Sequence, residues 1–280
     1  MKVIAKIKGM QKYADKARQE GKTIGLVPTM GYLHKGHLSL VKKAREECDI
    51  VVTSIFVNPT QFAPGEDLEE YPRDFKRDKK LLQKEKCDVI FRPSVKEMYP
   101  EEKLTWVTVD KISRKLCGLS RPTHFQGVTT IVSKLFNAVK PHKAYFGQKD
   151  YQQSLVIRKM VKDLNIDIEI VTCPIVREKD GIAMSSRNIY LSKDERKQAL
   201  VLSQSLKKAE ELINKGEKNP EKIKQTITGM IKSKPSAKID YVEILNAGNL
   251  ENITKIKGRI VIALAVYIGK TRLIDNIMIK

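Results

Sequence analysis

The chain has 280 residues, 41% of them hydrophobic, which is enough for one large domain or two unequal ones and argues against disorder. Its formal net charge of +20 would suit nucleic acid or anionic small molecules as partners. The lysines, however, are spread over helix-like segments, where lysine and glutamate usually form a solvated face. We therefore expect no nucleic-acid partner.

Charge distribution and cysteine spacing predict a cytoplasmic protein without a membrane segment. The N-terminal stretch carries charges every few residues, so no signal peptide is expected. The longest apolar run, IVIALAVYI from Ile260, is about half the length that spans a bilayer, and it is predicted to be a buried strand. The cysteines are far apart and lack a C-x-x-C pair, which predicts reduced, mostly buried thiols. They are Cys48, Cys87, Cys117 and Cys173.

Up to about residue 175, short apolar runs alternate with amphipathic helical segments. This alternation predicts an α/β fold, a doubly wound parallel sheet of the Rossmann-like type with helices on both faces. Ligands of such sheets bind at the carboxyl ends of the strands. In chain order, the predicted strands are TIGLVPT, DIVVTSIFVN, DVIFRP, KAYFGQ and IDIEIVTCPIV.

The pattern changes after about residue 176. A polar, turn-rich segment is followed by two helical segments and then by three strand-like runs, which indicates a smaller α+β domain. We therefore predict a nucleotide- and substrate-binding domain at 1–175 and a C-terminal lid domain at 176–280. The three final strands are predicted in IDYVEIL, GRIVIALAVYIG and TRLIDNIMIK.

The turn VPTMGYLHKGH joins the first central strand to a helix and carries two histidines. A helix N-terminus at a strand end favours an anion, and Gly36 allows a ligand to approach the backbone. His34 and His37 can donate hydrogen bonds to phosphate oxygens as charge builds up. The alternatives are that one histidine caps the helix and the other lies on the surface, or, less favoured, that both bind zinc.

Two further segments carry groups that bind anions. AMSSRN follows the last strand of the large domain, and its hydroxyls and arginine would form a flexible clamp, or alternatively would cap the helix around SKDERKQAL. In YFGQKDYQQS, Lys149 can reach a phosphate after a tight turn at Gly147. Asp150 would either cap the next helix or act in catalysis.

Two other segments offer polar side chains for a substrate. In SIFVNPTQF, a strand runs into Asn58 and Gln61, whose amides suit a polar, hydroxylated substrate at the edge of the site. In RPTHFQGV, Arg121 and His124 could meet a carboxylate, or the segment could be only a turn into a helix. Asp78 is a conceivable metal ligand, but its charge-rich helix favours a solvated carboxylate.

Together these motifs make the chain similar to the pantoate–β-alanine ligase (pantothenate synthetase) family. That family belongs to the nucleotidyltransferase superfamily, which shares the H-x-G-H turn with class I aminoacyl-tRNA synthetases. The resemblance extends over nearly the whole chain, and VNPTQF together with GQKDYQQ makes it specific. The motifs appear in family order as VPTMGYLHKGH, SIFVNPTQF, YPR, RPTHFQGV, YFGQKDYQQ and VREKDGIAMSSRN.

The resemblance implies that ATP adenylates pantoate with the assistance of Mg²⁺, after which β-alanine attacks to give pantothenate and AMP. It also implies a homodimer. By matching position, Gln61 and Gln153 would bind pantoate, Gln61 would also place β-alanine, and His37 would be the general acid. His34 and Lys149, which can neutralise the phosphates, are predicted to be catalytic together with His37. The ATP site would comprise Met30, Gly31, Tyr32, Leu33, His34, Lys35, Gly36, His37, Gly147, Gln148, Lys149, Asp150, Val176, Met184, Ser185, Ser186 and Arg187.

Two alternatives remain at the level of sequence. One is another H-x-G-H nucleotidyltransferase that acts on a phosphorylated small molecule, although such an enzyme would be expected to have more basic residues where this chain has amides. The other is an RNA-binding protein such as a truncated tRNA synthetase, which the net charge favours mildly. The sequence does not identify the metal ligands.

Overall fold

The computed structural model describes residues 1–279 and separates into two compact units. The first unit comprises Met1–Arg114 and Arg121–Pro174. The second unit comprises the short segment Lys115–Ser120 and the chain from Ile175 onward. No sequence signal indicated that Lys115–Ser120 would group with the C-terminal part of the chain.

The first unit is built on a six-stranded sheet with the order β1-β4-β3-β2-β5-β6. Every neighbouring pair is parallel, and the central strand β3 is buried along its whole length, as expected for a sheet covered on both faces. The predicted doubly wound fold is confirmed. The strands are β1 (Lys2–Ile4), β2 (Ile24–Thr29), β3 (Ile50–Ile55), β4 (Val89–Phe91), β5 (Lys143–Gly147) and β6 (Glu169–Cys173).

The edge strand β1 was not predicted from the sequence. It has only three residues, and Val3 is exposed, so the run lacks the alternation or continuous burial by which strands are recognised.

Helices cover the sheet and also form part of the second unit. They are α1 (Ile7–Gln19), α2 (Lys35–Glu47), α3 (Phe75–Lys84), α4 (Val95–Met98), α5 (Cys117–Ser120), α6 (His124–Val139), α7 (Tyr151–Asp163), α8 (Lys193–Ala199), α9 (Val201–Asn214) and α10 (Pro220–Lys232).

The second unit contains an antiparallel sheet in the order β7-β8-β9, which confirms the predicted α+β character. Its strands are β7 (Ala237–Asn246), β8 (Ile260–Ile268) and β9 (Thr271–Ile279). The apolar run of β8 forms a core with the apolar faces of α9 and α10, so its burial in a sheet explains its hydropathy. Within residues 1–279, no helix is long and apolar enough to cross a membrane.

All four cysteines are thiols, and Cys48, Cys87 and Cys173 are buried, which confirms the prediction of reduced, mostly buried side chains.

A buried carboxylate of the second unit is paired with an arginine. Asp275 on β9 has a side chain that is only 2% exposed, and its oxygens accept hydrogen bonds from Arg177 at 2.6 and 3.0 Å. Arg177 also donates to the carbonyl oxygen of Gly181, so the pair joins β9 to the hairpin that leads into AMSSRN.

We expect Asp275→Ala to lower the free energy of unfolding by roughly 1–3 kcal/mol, because it removes charge-assisted hydrogen bonds from Arg177. The control is Asp194→Ala, since Asp194 forms an ion pair with Lys197 in which both side chains are well exposed. That pair should contribute less than about 1 kcal/mol. Urea unfolding followed by circular dichroism measures both, and equal effects of the two substitutions would contradict the assigned role.

Candidate active site

Three of the predicted motifs follow three neighbouring strands of the parallel sheet. The turn with Gln61 follows β3, the histidine turn follows β2, and the turn with Lys149 follows β5. The chain winds outward from β2 in one direction and from β5 in the other, so the strand order reverses between these two strands. The carboxyl edge at such a reversal is where open α/β sheets bind ligands.

The two histidines form a reciprocal cap at the start of α2. His34 is the N-cap residue, and its Nδ1 accepts a hydrogen bond from the Gly36 N–H at 3.1 Å. Nδ1 of His37, in turn, accepts from the His34 N–H at 3.3 Å. The rings stack with their centroids 4.0 Å apart. The alternative interpretation was therefore correct about the cap, but His37 is a half-buried member of it and not a surface residue.

These hydrogen bonds determine which ring nitrogen carries the proton. Because Nδ1 of each ring accepts, each neutral imidazole has its proton on Nε2, where it can be donated outward. Desolvation lowers the pKa of His37 well below its usual value, and the charges of His34 and Lys149 lower it further. The site therefore holds a neutral imidazole donor, and an incoming polyphosphate would raise that pKa again.

The backbone just before the histidines is held by Asp78, a residue for which the sequence predicts a solvated position. Asp78 on α3 is 1% exposed, and its carboxylate accepts hydrogen bonds from the backbone N–H groups of Tyr32 and Leu33, each at 2.8 Å. The expectation of a solvated carboxylate was wrong. Helical spacing could have predicted its burial, since position 78 lies on the same face of α3 as Phe75 and Leu82.

The turn after β3 is stiffened from within by Asn58. This residue is 1% exposed, and its amide nitrogen donates to the carbonyl oxygen of Gly127 and to Oε1 of Gln61. Its oxygen accepts from the hydroxyl of Tyr99 at 2.8 Å. The prediction that Asn58 lies at the edge of the site was therefore wrong. Gln61 is partly exposed, and its amide nitrogen also donates to Sδ of Met30 at 3.2 Å.

The RPTHFQGV segment supports the Gln61 turn from the other side. Arg121 meets a carboxylate, as one interpretation proposed, but it is that of Glu66. Arg121 and His124 both donate to the main-chain oxygen of Gln61, at 3.2 and 2.9 Å. A Cβ at Gly127 would lie 2.3 Å from the carbonyl oxygen of Thr60, so only glycine permits this close approach of α6 to the turn.

The turn after β5 contains Gly147 and Lys149. A Cβ added to Gly147 would meet open space, so this glycine leaves room over the strand end. Asp150 is the N-cap residue of α7, but its side chain makes no capping hydrogen bond, which removes one of its two predicted roles. Gln152 is buried and donates to the carbonyl oxygen of Ile112, whereas Gln153 is partly exposed on the first turn of the same helix.

The AMSSRN segment lies in the second unit, after the hairpin closed by Arg177 and Ala183. The hydroxyl of Ser185 accepts from the N–H of Arg187 and starts a short 3-10 turn. The cap of α8 is formed by Ser192 with Glu195 and not by this segment, so the alternative role as a helix cap was wrong. The side chains from Met184 to Arg187 are partly exposed, as a ligand-binding segment requires.

In the part of the chain that the structure describes, possible metal ligands do not cluster. Among residues 1–279, no group of three or more histidine, cysteine, aspartate or glutamate side chains could hold a metal ion.

The fold and the strand-end turns define the class as a nucleotide-binding α/β enzyme with an H-x-G-H turn. Residues 2–278 match the family model described as Pantoate-beta-alanine ligase. The chain therefore belongs to the pantoate–β-alanine ligase family, and it is a ligase. The full-length match argues against a truncated tRNA synthetase and against a nucleotidyltransferase of another family.

Individual relatives agree over their whole lengths. The chain is 59% identical to the pantothenate synthetase of Thermotoga petrophila over 276 residues, with 99% of each chain covered. The crystal structure of the Thermus thermophilus pantothenate synthetase is similar with a TM-score of 0.94 and 42% identity, covering 99% of both chains. A third relative is the Francisella tularensis pantoate-beta-alanine ligase, whose crystal structure is complexed with beta-gamma ATP and beta-alanine. Its TM-score is 0.81 at 37% sequence identity, and the match covers 99% of this chain and 97% of that one.

The support of the Gln61 turn should depend on pH. Burial and the charge of Arg121 lower the pKa of His124 to about 4, so the unfolded chain binds the proton more readily between pH about 6.5 and 4. Stability from the neutral ring is complete above pH about 6.5 and is lost on acidification. We expect the urea midpoint to fall less between pH 7 and 5 in His124→Gln than in the wild type, and identical falls would contradict this assignment.

Proposed function

We propose that this ligase condenses pantoate with β-alanine in two steps at the carboxyl edge of the parallel sheet. The pantoate carboxylate attacks the α-phosphorus of ATP and releases pyrophosphate, which gives a pantoyl adenylate. The neutral β-alanine amine then attacks the acyl carbon, AMP leaves with the electron pair of the broken C–O bond, and the nitrogen releases one proton to the solvent. The identity of the relatives, one of them complexed with beta-gamma ATP and beta-alanine, supports these substrates.

The observation that carries the residue assignment is the arrangement of the turns after β2 and β5. Two imidazoles with Nε2–H donors lie at a helix N-terminus, and the charge of Lys149 is close enough to depress the pKa of His37. A carboxylate and a triphosphate repel each other, so donors of this kind must neutralise the phosphates before attack. We assign His37, His34 and Lys149 to stabilisation of the α-phosphate as the bond to pyrophosphate breaks.

The rest of the nucleotide site is proposed from position and exposure. Met30 to His37 and Gly147 to Asp150 would bind ATP from the first unit. Val176 and Met184 to Arg187 would contribute from the second unit, where Arg187 and two serine hydroxyls suit a polyphosphate. A role of the second unit as a lid over the reactive adenylate stays a prediction, as do the homodimer and the cytoplasmic location.

Pantoate is proposed to bind at Gln61 and Gln153. Both carboxamides are partly exposed, Gln61 on the turn after β3 and Gln153 on the first turn of α7, which follows β5. Strands β3 and β5 flank β2, which leads into the histidine turn. An amide donates and accepts at once, which suits a substrate that carries hydroxyl groups and a carboxylate. Gln61 is also proposed to place β-alanine. Asn58 within the turn donates to the Gln61 side chain, and Arg121 donates to the Gln61 main-chain oxygen. These contacts give the Gln61 side chain a defined position.

Magnesium is proposed to enter with the nucleotide. Mg²⁺ is usually held by one or two carboxylates together with substrate phosphates and water, and it needs no cage of protein ligands. This coordination preference is compatible with a chain whose described residues offer no cluster of three or more metal ligands. When bound, the ion supplies neutralising charge to the triphosphate. The protein groups bind, orient and donate hydrogen bonds as described above.

Replacing His37 separates its chemical role from its capping role. We expect His37→Ala to lower the rate of pantoate-dependent pyrophosphate release by on the order of 10²–10³, as for other donors to a developing oxyanion. His37→Asn keeps an acceptor for the His34 N–H but lacks the outer N–H donor. It should preserve thermal stability and still lose activity. Near-normal turnover in either variant would remove His37 from the mechanism.

Replacing Gln61 tests the assignment of the substrate. Gln61→Ala should raise the KM for pantoate far more than that for ATP, because the amide is proposed to contact the acid and not the nucleotide. Gln126→Ala is the control, since the Gln126 amide donates to the Thr108 hydroxyl on an exposed face of α6. Steady-state kinetics with pantoate and ATP varied in turn measure the difference. An equal rise in both KM values would disprove the assignment.

A further inference from the structure

Asp78 is an acidic side chain that the proposed reaction leaves without a role, although the fold buries it beside the active-site turn. It lies on α3, a helix whose neighbouring residues Arg77 and Lys80 are exposed. Burying a carboxylate is costly unless its oxygens are hydrogen-bonded. Here Oδ2 accepts from the Tyr32 N–H and Oδ1 from the Leu33 N–H, each at 2.8 Å, and Arg77 lies 3.6 Å from Oδ1.

The backbone that Asp78 holds has an unusual conformation. Gly31 and Tyr32 follow one another with φ values of 87° and 49°, which places two successive residues in the left-handed region. A non-glycine residue persists there only where its surroundings enforce it. This turn exposes the N–H groups of Tyr32 and Leu33, and the carboxylate of Asp78 accepts both. The conformation of the turn and the burial of the acid therefore depend on each other.

The fit around this contact leaves no space for adjustment. A Cβ at Gly31 would lie 3.2 Å from Oδ2 of Asp78 and 3.0 Å from Cγ2 of Ile55. The next residue after the turn is His34, which begins the reciprocal cap with His37. A shift of the turn therefore moves the N-cap residue and with it both hydrogen bonds to the Nδ1 atoms.

We propose that Asp78 is a positioning residue, which sets the direction of both imidazoles by fixing the backbone immediately before them. It acts through the main chain of Tyr32 and Leu33, and its two oxygens are engaged there and not with the substrate or the metal. This inference rests on the proposed role of the histidines. A displacement of about 1 Å at a reacting group costs on the order of 10² in rate, so the effect should be large.

The first test is Asp78→Asn, compared with Asp74→Asn on the same helix. The asparagine at 78 keeps one acceptor but turns an amide donor towards a backbone N–H. Asp74 is exposed and accepts the Arg77 N–H as the cap of α3, a role that asparagine performs equally well. We expect Asp78→Asn to lower kcat for pyrophosphate release by on the order of 10², with little change in the KM for pantoate. Asp74→Asn should resemble the wild type.

The second readout is the protonation state of the rings, observed by nitrogen NMR of histidine-labelled protein. In the wild type, Nδ1 of His34 and His37 should resonate as unprotonated nitrogens, since both accept hydrogen bonds. In Asp78→Asn this signature should be lost for both rings while thermal unfolding still shows a folded protein. Unchanged ring signals with unchanged kcat would overturn the proposal. Activity restored by raising the Mg²⁺ concentration would also overturn it, in favour of a metal ligand.

A second variant decides the matter if Asp78→Asn does not fold. Gly31→Ala leaves the charge of Asp78 in place, but it strains the left-handed turn at φ 87° and pushes a methyl group against the carboxylate. It should therefore shift the turn and produce the same loss of kcat and the same change in the ring signals. Normal kcat in Gly31→Ala would overturn the proposal. Wild-type enzyme that formed no AMP from pantoate, ATP and β-alanine would instead reject the proposed function, which keeps the two failures distinct.

Discussion

The parallel pairing of β3, β2 and β5 is the constraint on which the rest of the site depends. Parallel strands that lie side by side end at one edge of a sheet, so their following turns meet although they are far apart in sequence. Gln61, His37 and Lys149 reach this edge from three separate parts of the chain. The near-continuous burial of β2 and β3 keeps the sheet covered on both faces and makes the edge the exposed place where ligands can collect.

On that edge, backbone hydrogen bonds orient both histidine rings. His34 and His37 use Nδ1 to cap α2, which leaves Nε2–H of each neutral ring as a donor. Helix capping, usually a matter of stability, here also selects a tautomer. The low pKa of His37 follows from its burial and from the neighbouring positive charges, and it suits the proposed role as a neutral donor to a polyphosphate.

Around this edge, several polar residues support the site without belonging to its surface. Asn58 and Asp78 are almost fully buried. Asp78 accepts from backbone N–H groups, and Asn58 binds a backbone carbonyl, the Gln61 amide and the Tyr99 hydroxyl. Arg121 directs its charge to Glu66 and to the main chain of Gln61. The net charge of +20 thus says little about the candidate site, since Arg121 is engaged within the fold and the histidine turn offers neutral donors.

The sequence by itself determined the alternation of strands and helices, the two-part organisation and the segments that carry chemistry, because periodicity and turn residues are local properties. It determined the family as well, since motif order is a property of the chain. Tertiary structure alone decided that Asn58 is buried, that Asp78 accepts from the Tyr32 and Leu33 N–H groups, that Arg121 pairs with Glu66, and that Lys2–Ile4 forms an edge strand. Each depends on a partner that is distant along the chain. Packing determines which distant groups meet, and the spacing of residues along the chain does not reveal these pairs.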